Sequence, residues 1–145
     1  MSKKEHVMEV LQGMGYSPKY DDEGDIMLVF QMKHIFFMLN EEDEDNFLTI
    51  QLPQFVDLEE EDVSMALAIC NKMTRELKGA KVYVDNTFKS ASANFEIFYA
   101  NDESLEYSIR KSLRTLAVIR SQYHKSSSFF TNIKSAPNSM QSPSK

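Results

Sequence analysis

A chain of 145 residues, 42% hydrophobic and 26% charged, is long enough to bury the core of one domain. Residues 126–145 hold two lysines and no acid, so residues 1–125 carry 14 cations against all 22 anions, a net of −8 within a whole-chain charge of −6. A body that acidic is repelled by phosphate backbones and anionic lipid, which argues against nucleic acid and membrane as partners.

Val7, Val10, Leu11 and Met14 fall at helical spacing, so Lys4 to Met14 predicts a short amphipathic helix, stopped by Gly13 and Gly15. This N-terminal stretch has no continuous apolar run and does not read as a secretory signal. Asp22-Glu23-Gly24 is turn chemistry between two extended pieces. Then comes IMLVFQMKHIFFML, residues 26–39, broken only by Gln31, Lys33 and His34. A bilayer span needs about 20 apolar residues, and a single helix here would be apolar almost all round. Two strands, 26–31 and 34–39, joined by a tight turn near Met32-Lys33, are the better reading.

An acidic turn, Asn40 to Asp45, leads into a strand where Leu48, Ile50 and Leu52 alternate with Phe47, Thr49 and Gln51, and Pro53 is expected to end it. The next helix is expected to start at Asp57 as N-cap, with Glu60 completing a capping box, and to stop at Gly79. Glu59, Glu60, Glu61 and Asp62 suit its positive end, and Lys72, Arg75 and Lys78 its negative end. Val63, Leu67, Cys70, Thr74 and Leu77 form its expected inward side, with Ala66 and Met73 beside them. AKVYVD and ANFEIFYA read as two further strands linked through Asp85-Asn86-Thr87. The last helix starts near Asn101-Asp102, carries the stripe Leu105, Ile109, Leu113, Leu116 and Tyr123, and closes with Arg120, His124 and Lys125. Residues 126–145, with seven serines and two prolines, are expected to be a disordered tail following a single domain of residues 1–125. The order α-β-β-β-β-α-β-β-α with tight strand connections predicts an α+β domain: an antiparallel sheet with helices packed on one face.

From about His6 to Tyr123 the element order and apolar pattern resemble the YbjN-like family of bacterial sensory transduction regulators. The likeness is carried by GDIMLVF and HIFFMLN in the early hairpin, by LAICNKMTRELKGAKVYVD with Cys70-Asn71 in the helix, and by DESLEYSIRKSLRTLAVIRSQY. It departs at Thr74, where such helices often carry a second Asn, and at Asn86-Thr87, where an Asp-Gly pair is common. The resemblance implies a fold shared with type III secretion chaperones and a homodimer, with no known reaction.

Nothing in the residues points to catalysis, a metal or a cofactor. His6, His34 and His124 share no spacing, and no zinc pair, phosphate loop or nucleophile motif is present. Cys70, on an apolar helix stripe, reads as inert core; as the single cysteine it fits a reducing, cytoplasmic setting. The run Glu41 to Asp45 lacks the alternating ligands and central Gly of a Ca²⁺ loop and reads as a solvated hairpin tip. Arg110, Lys111 and Arg114 read as a solvated helix face.

The sheet's second face is more telling. With Leu28, Ile35, Phe37, Leu48, Ile50, Val82 and Phe95 under the helices, alternation sends Met27, Val29, Phe36, Met38, Phe47, Tyr83 and Phe98 to the opposite side. These seven are the expected partner-binding residues. Three covers are open: a helix of the same chain, a second copy in a homodimer, or a client or regulatory protein docking on adaptable methionines and aromatics. The expected function is therefore a non-catalytic, chaperone-like or regulatory binding module. The alternatives are a genuine secretion chaperone for an unfolded effector segment, or a small-molecule sensor with a pocket at Cys70, Asn71 and Thr74.

Overall fold

In the computed structural model, which describes residues 1–134, three helices and six strands meet in one buried core. The elements run α1 (Lys3–Gly13), β1 (Lys19–Tyr20), β2 (Ile26–Phe30), β3 (Lys33–Met38), β4 (Phe47–Asp57), a 3-10 turn (Glu60–Asp62), α2 (Val63–Glu76), β5 (Ala80–Val84), β6 (Ser90–Phe98) and α3 (Asp102–Lys134). The strands form one antiparallel sheet in the order β1-β2-β3-β4-β6-β5. This is the expected α+β architecture, with every helix contributing to the same core.

Alternation decides which face is buried. Ile26, Leu28, Ile35, Phe37, Leu48, Ile50, Leu52, Val82 and Phe95 turn toward the helices and are closed to solvent. Val7 and Leu11 of α1, and Leu105, Ile109, Leu113, Leu116 and Ile119 of α3, meet them and are fully buried. A large apolar side chain closed off in this way contributes about 1.5–3 kcal/mol.

Several local expectations need correction. The hairpin turn is one residue earlier than expected: Gln31 and Met32 both have positive φ (50° and 66°), the twist a two-residue hairpin needs between right-twisted strands. Pro53 does not end β4. The strand bulges between Leu52 and Val56 and resumes to Asp57, with Gln54 at φ 50° and its N–H held by Ser92 Oγ at 2.8 Å. Asp57 is consequently the last residue of β4, paired with Ser90, and caps nothing. The acids after it form the 3-10 turn, where Glu59 N–H donates to Asp62 at 3.3 Å.

The remaining corrections lie in the helices. In α2 the buried side is Ala66, Ile69, Cys70 and Met73, so the inward stripe is rotated and Leu67 is left half exposed. The α2 helix ends at Glu76, and Gly79, three residues on, adopts the left-handed conformation (φ 82°) expected of a chain-reversing glycine. The last helix does not stop at Lys125. It runs to Lys134, because Ser126 and Phe130 extend the stripe of Leu116, Ile119 and Tyr123 at three- and four-residue spacing. Ser126 is buried and Phe130 packs against the core. The remainder of the expected tail, 135–145, and the side chain of Ile133 lie outside the described residues.

Candidate functional site

The face of the sheet turned away from the helices is built by the alternate positions of five strands. Its register pairs are Met27 with Phe36, Val29 with His34, Phe36 with Gln51, Met38 with Thr49, Phe47 with Phe98, and Tyr83 with Ser92. All seven residues expected on this face are there. None of them belongs to the core beneath the helices, and among the described residues no helix of the chain lies over them. Met27 is only 8% exposed, yet it does not belong to that core.

The face has two halves. Around β3, Met27, Val29, Phe36, Met38, Phe47 and Phe98 make an apolar region. Phe98 is 72% exposed and Val29 54%, and the Phe47 and Phe98 rings stack at 4.9 Å between centroids, tilted by 51°. Tyr83 belongs to the other half, which is polar, and its assignment to the apolar set is corrected on that ground. Its hydroxyl donates to Asn94 Oδ1 at 2.9 Å and accepts from Gln51 Nε2 at 3.1 Å, and Lys81 pairs with Glu96 nearby. Below this row Ser92 and Ser90 donate to the Asp85 carboxylate at the β5–β6 turn. Each polar group here is turned to a neighbour on its own sheet.

Charged groups flank β3 at both ends. At the β2–β3 hairpin end, Lys33 and His34 line a notch with Arg120, Pro53 and Phe55; of these basic groups only His34 is on the open face, Lys33 sharing the helix side with Ile35 and Phe37, and none of the three is in an ion pair among the described residues. At the other end of β3 lies the acidic loop, Glu41 to Asp45. Its role is partly structural. The Glu41 carboxylate accepts the N–H groups of Lys3 and Lys4 at 2.9 Å each, and Lys3 Nζ donates to the carbonyls of Asp43 and Asp45. An anion on the positive end of α1 is favoured by the helix dipole, and these bonds hold the Glu41 carboxyl below its ordinary range. Among the described residues, no group of three His, Cys, Asp or Glu side chains is placed to hold a metal ion, and no helix is long and apolar enough to cross a membrane.

The residues expected of a sensor pocket do not converge. Cys70 is buried in the core, and burial, with Asp85 a lesser cause, pushes its thiol up to about 11. Asn71 is exposed, and the Thr74 hydroxyl is committed to the Val82 backbone. Sequence reasoning missed the basic notch at the hairpin end. Lys33 and Arg120 are 87 positions apart, and only the β4 bulge and α3 bring them together.

A family model, YbjN, described as "Putative bacterial sensory transduction regulator", matches residues 3–117. Among solved structures, the chain is similar to YbjN from E. coli, described as "a putative transcription regulator", with a TM-score of 0.65 and 11% identity over 86% of this chain and 91% of that one. It is also similar to an uncharacterized protein from Methanothermobacter thermautotrophicus, with a TM-score of 0.57 and 12% identity over 85% and 97%. At such identities the likeness shows the fold alone. No curated protein sequence matches the chain.

Proposed function

The chain belongs to the YbjN family, and from that premise we propose that it is a non-catalytic regulatory module that acts as a homodimer through the open face of its sheet. One observation carries the reading. Six apolar side chains, Phe98 and Val29 the most exposed, share a face outside the core that no helix among the described residues covers. Exposed apolar surface of this kind marks an interaction site on a soluble domain.

A second copy is the occupant that charge favours. The body is strongly acidic, so two copies repel one another over most of their surface. The apolar half of this face holds no acid, and the one exposed acid of the polar half, Glu96, is paired with Lys81. Two acidic bodies can therefore meet here without setting like charges opposite one another. Isologous pairing of one patch with itself is also the commonest route to a dimer.

Sedimentation of the full chain over a dilution series tests the reading. Association to twice the 16.7 kDa monomer mass is expected. A monomer at every concentration would leave the face to a client protein, the arrangement of a secretion chaperone holding an effector segment, and would overturn the dimer.

A further inference from the structure

Independently of the dimer reading, the geometry points to the notch at the β2–β3 hairpin end as a binding site for a small organic carboxylate, one anionic head on an apolar ring or short chain. The notch originates in the bulge of β4. Strand β3 pairs with β4 only over Phe36 to Met38. Continuing that register would set His34 opposite Pro53, which has no N–H to offer the ladder. Past Leu52 the strand bulges, and a recess of about 200 Å³ opens there. Lys33 and His34, from opposite sides of the sheet, and Arg120, from α3, all line it. Phe55 packs edge-on against Tyr123, 5.7 Å between ring centroids, and so holds the bulge against α3 one turn beyond Arg120.

The wall combines two chemistries. Leu52, Pro53 and Phe55 are apolar, and Lys33, His34 and Arg120 are basic. The side chains of His34 and Arg120 make no hydrogen bond or ion pair among the described residues, and Lys33 Nζ reaches only the Gln31 carbonyl, at 3.4 Å. No acid lines this recess. Acids do line the recess beside α2 (Asp57, Asp62), the one between α1 and α3 (Asp102), the one at the β5–β6 turn (Glu59, Glu60) and the one on the first turns of α3 (Glu103, Glu106). Two cations converging without a carboxylate, in a body of net −8, make a local focus of positive potential.

That setting selects the ligand. The planar fork of Arg120 matches a carboxylate, which can accept two N–H groups at once. The surrounding excess of acid disfavours ligands of several negative charges, so the head is a single carboxylate and not a polyphosphate. Pockets for drug-sized ligands run to roughly 300–1,000 Å³, and this smaller recess suits a ring or a short chain against Phe55.

Titration of the isotope-labelled full chain, followed by amide NMR shifts, tests the site with benzoate as probe and benzamide as its neutral isostere. Benzoate is expected to give saturable shifts centred on Lys33, His34, Gln54 and Phe55, and benzamide to bind at least about tenfold more weakly. Arg120→Gln, and separately Lys33→Gln, are expected to weaken benzoate about tenfold while far-UV circular dichroism stays unchanged. Arg110→Gln, the same change of charge on the same helix but away from the notch, is expected to leave benzoate binding as it was.

Benzamide binding as tightly as benzoate would overturn the anionic head. Inorganic phosphate matching benzoate would overturn the apolar body, leaving a counterion site. Equal losses from Arg110→Gln and Arg120→Gln would make the effect one of overall charge, and absence of any saturable shift would remove the site altogether. None of these outcomes bears on whether the chain dimerises.

Discussion

The Thr74 hydroxyl accepts the Val82 N–H at 2.8 Å and donates to the Val82 carbonyl at 3.0 Å. Val82 is the middle residue of β5, the edge strand next to β6, so a single helix side chain closes the outward backbone groups on which another strand would add. Exposed strand edges are the usual route to sheet-to-sheet association, and at the middle of β5 that route is blocked. Thr74→Val keeps the shape and removes both bonds. It is expected to destabilise the fold by about 1–2 kcal/mol in denaturant melts. An unchanged midpoint would mean that the strand edge is satisfied in some other way.

Gly79→Val is expected to cost about 1 kcal/mol or more for two separable reasons. Gly79 has φ 82°, and a Cβ built on it would stand 3.2 Å from the Phe95 ring. Gly79→Ala brings the steric contact without the β-branch and should fall between wild type and Val in thermal melts. Equal stability of all three chains would contradict the left-handed turn.

Phe130→Ala is expected to destabilise by about 1–2 kcal/mol, less than a fully buried Phe because this ring is only partly covered. A chain ending at Lys125 should lose more, because it also removes buried Ser126 and the last turns of α3. A truncated chain that melts with the full one would show that α3 beyond Lys125 contributes nothing to the core.

Acid should loosen the junction of α1 with the acidic loop. Glu5 and Glu41 are held below the ordinary Glu value of 4.5, Glu5 by the Ser2 backbone first and its hydroxyl second, Glu41 by the backbone N–H groups of Lys4 and Lys3. A carboxyl depressed in the folded state stabilises above its unfolded pKa, and that contribution is lost as pH falls through the folded value. Glu41→Gln should therefore melt below wild type at pH 7, with the gap closing as pH falls below about 4.5. A gap independent of pH would show that the ionised carboxylate has no part in it.

What the sequence revealed, and what it hid, follows from how local each signal is. Period-two alternation over Phe47 to Leu52 and a regular stripe from Leu105 to Tyr123 put most of the core on the correct side. Both faces of β3 could be read the same way, because Phe36 and Met38 alternate with Ile35 and Phe37. The failures came where tertiary contact outweighed a local rule. Pro53 remained within a strand because a bulge absorbs the missing donor. Helix α3 continued past Lys125 because Ser126 occupies an apolar-stripe position with a polar side chain, which hides the period. Tyr83 alternates onto the open face, but only the neighbouring strands supply the Asn94 and Gln51 that make its surroundings polar.

The central claim is that the open face is an interface and not internal core, and the double substitution Phe36→Asp with Met38→Lys tests it most directly. Charges set in the middle of an apolar contact must be buried unpaired, at a cost of several kcal/mol, or keep water in the contact. Light scattering of this variant should report a monomer of about half the wild-type mass, while far-UV circular dichroism and the thermal midpoint stay near those of wild type. A variant that unfolds would contradict the account, because it would make this face part of the core. So would one that associates as tightly as the unaltered chain, because the contact would then lie elsewhere.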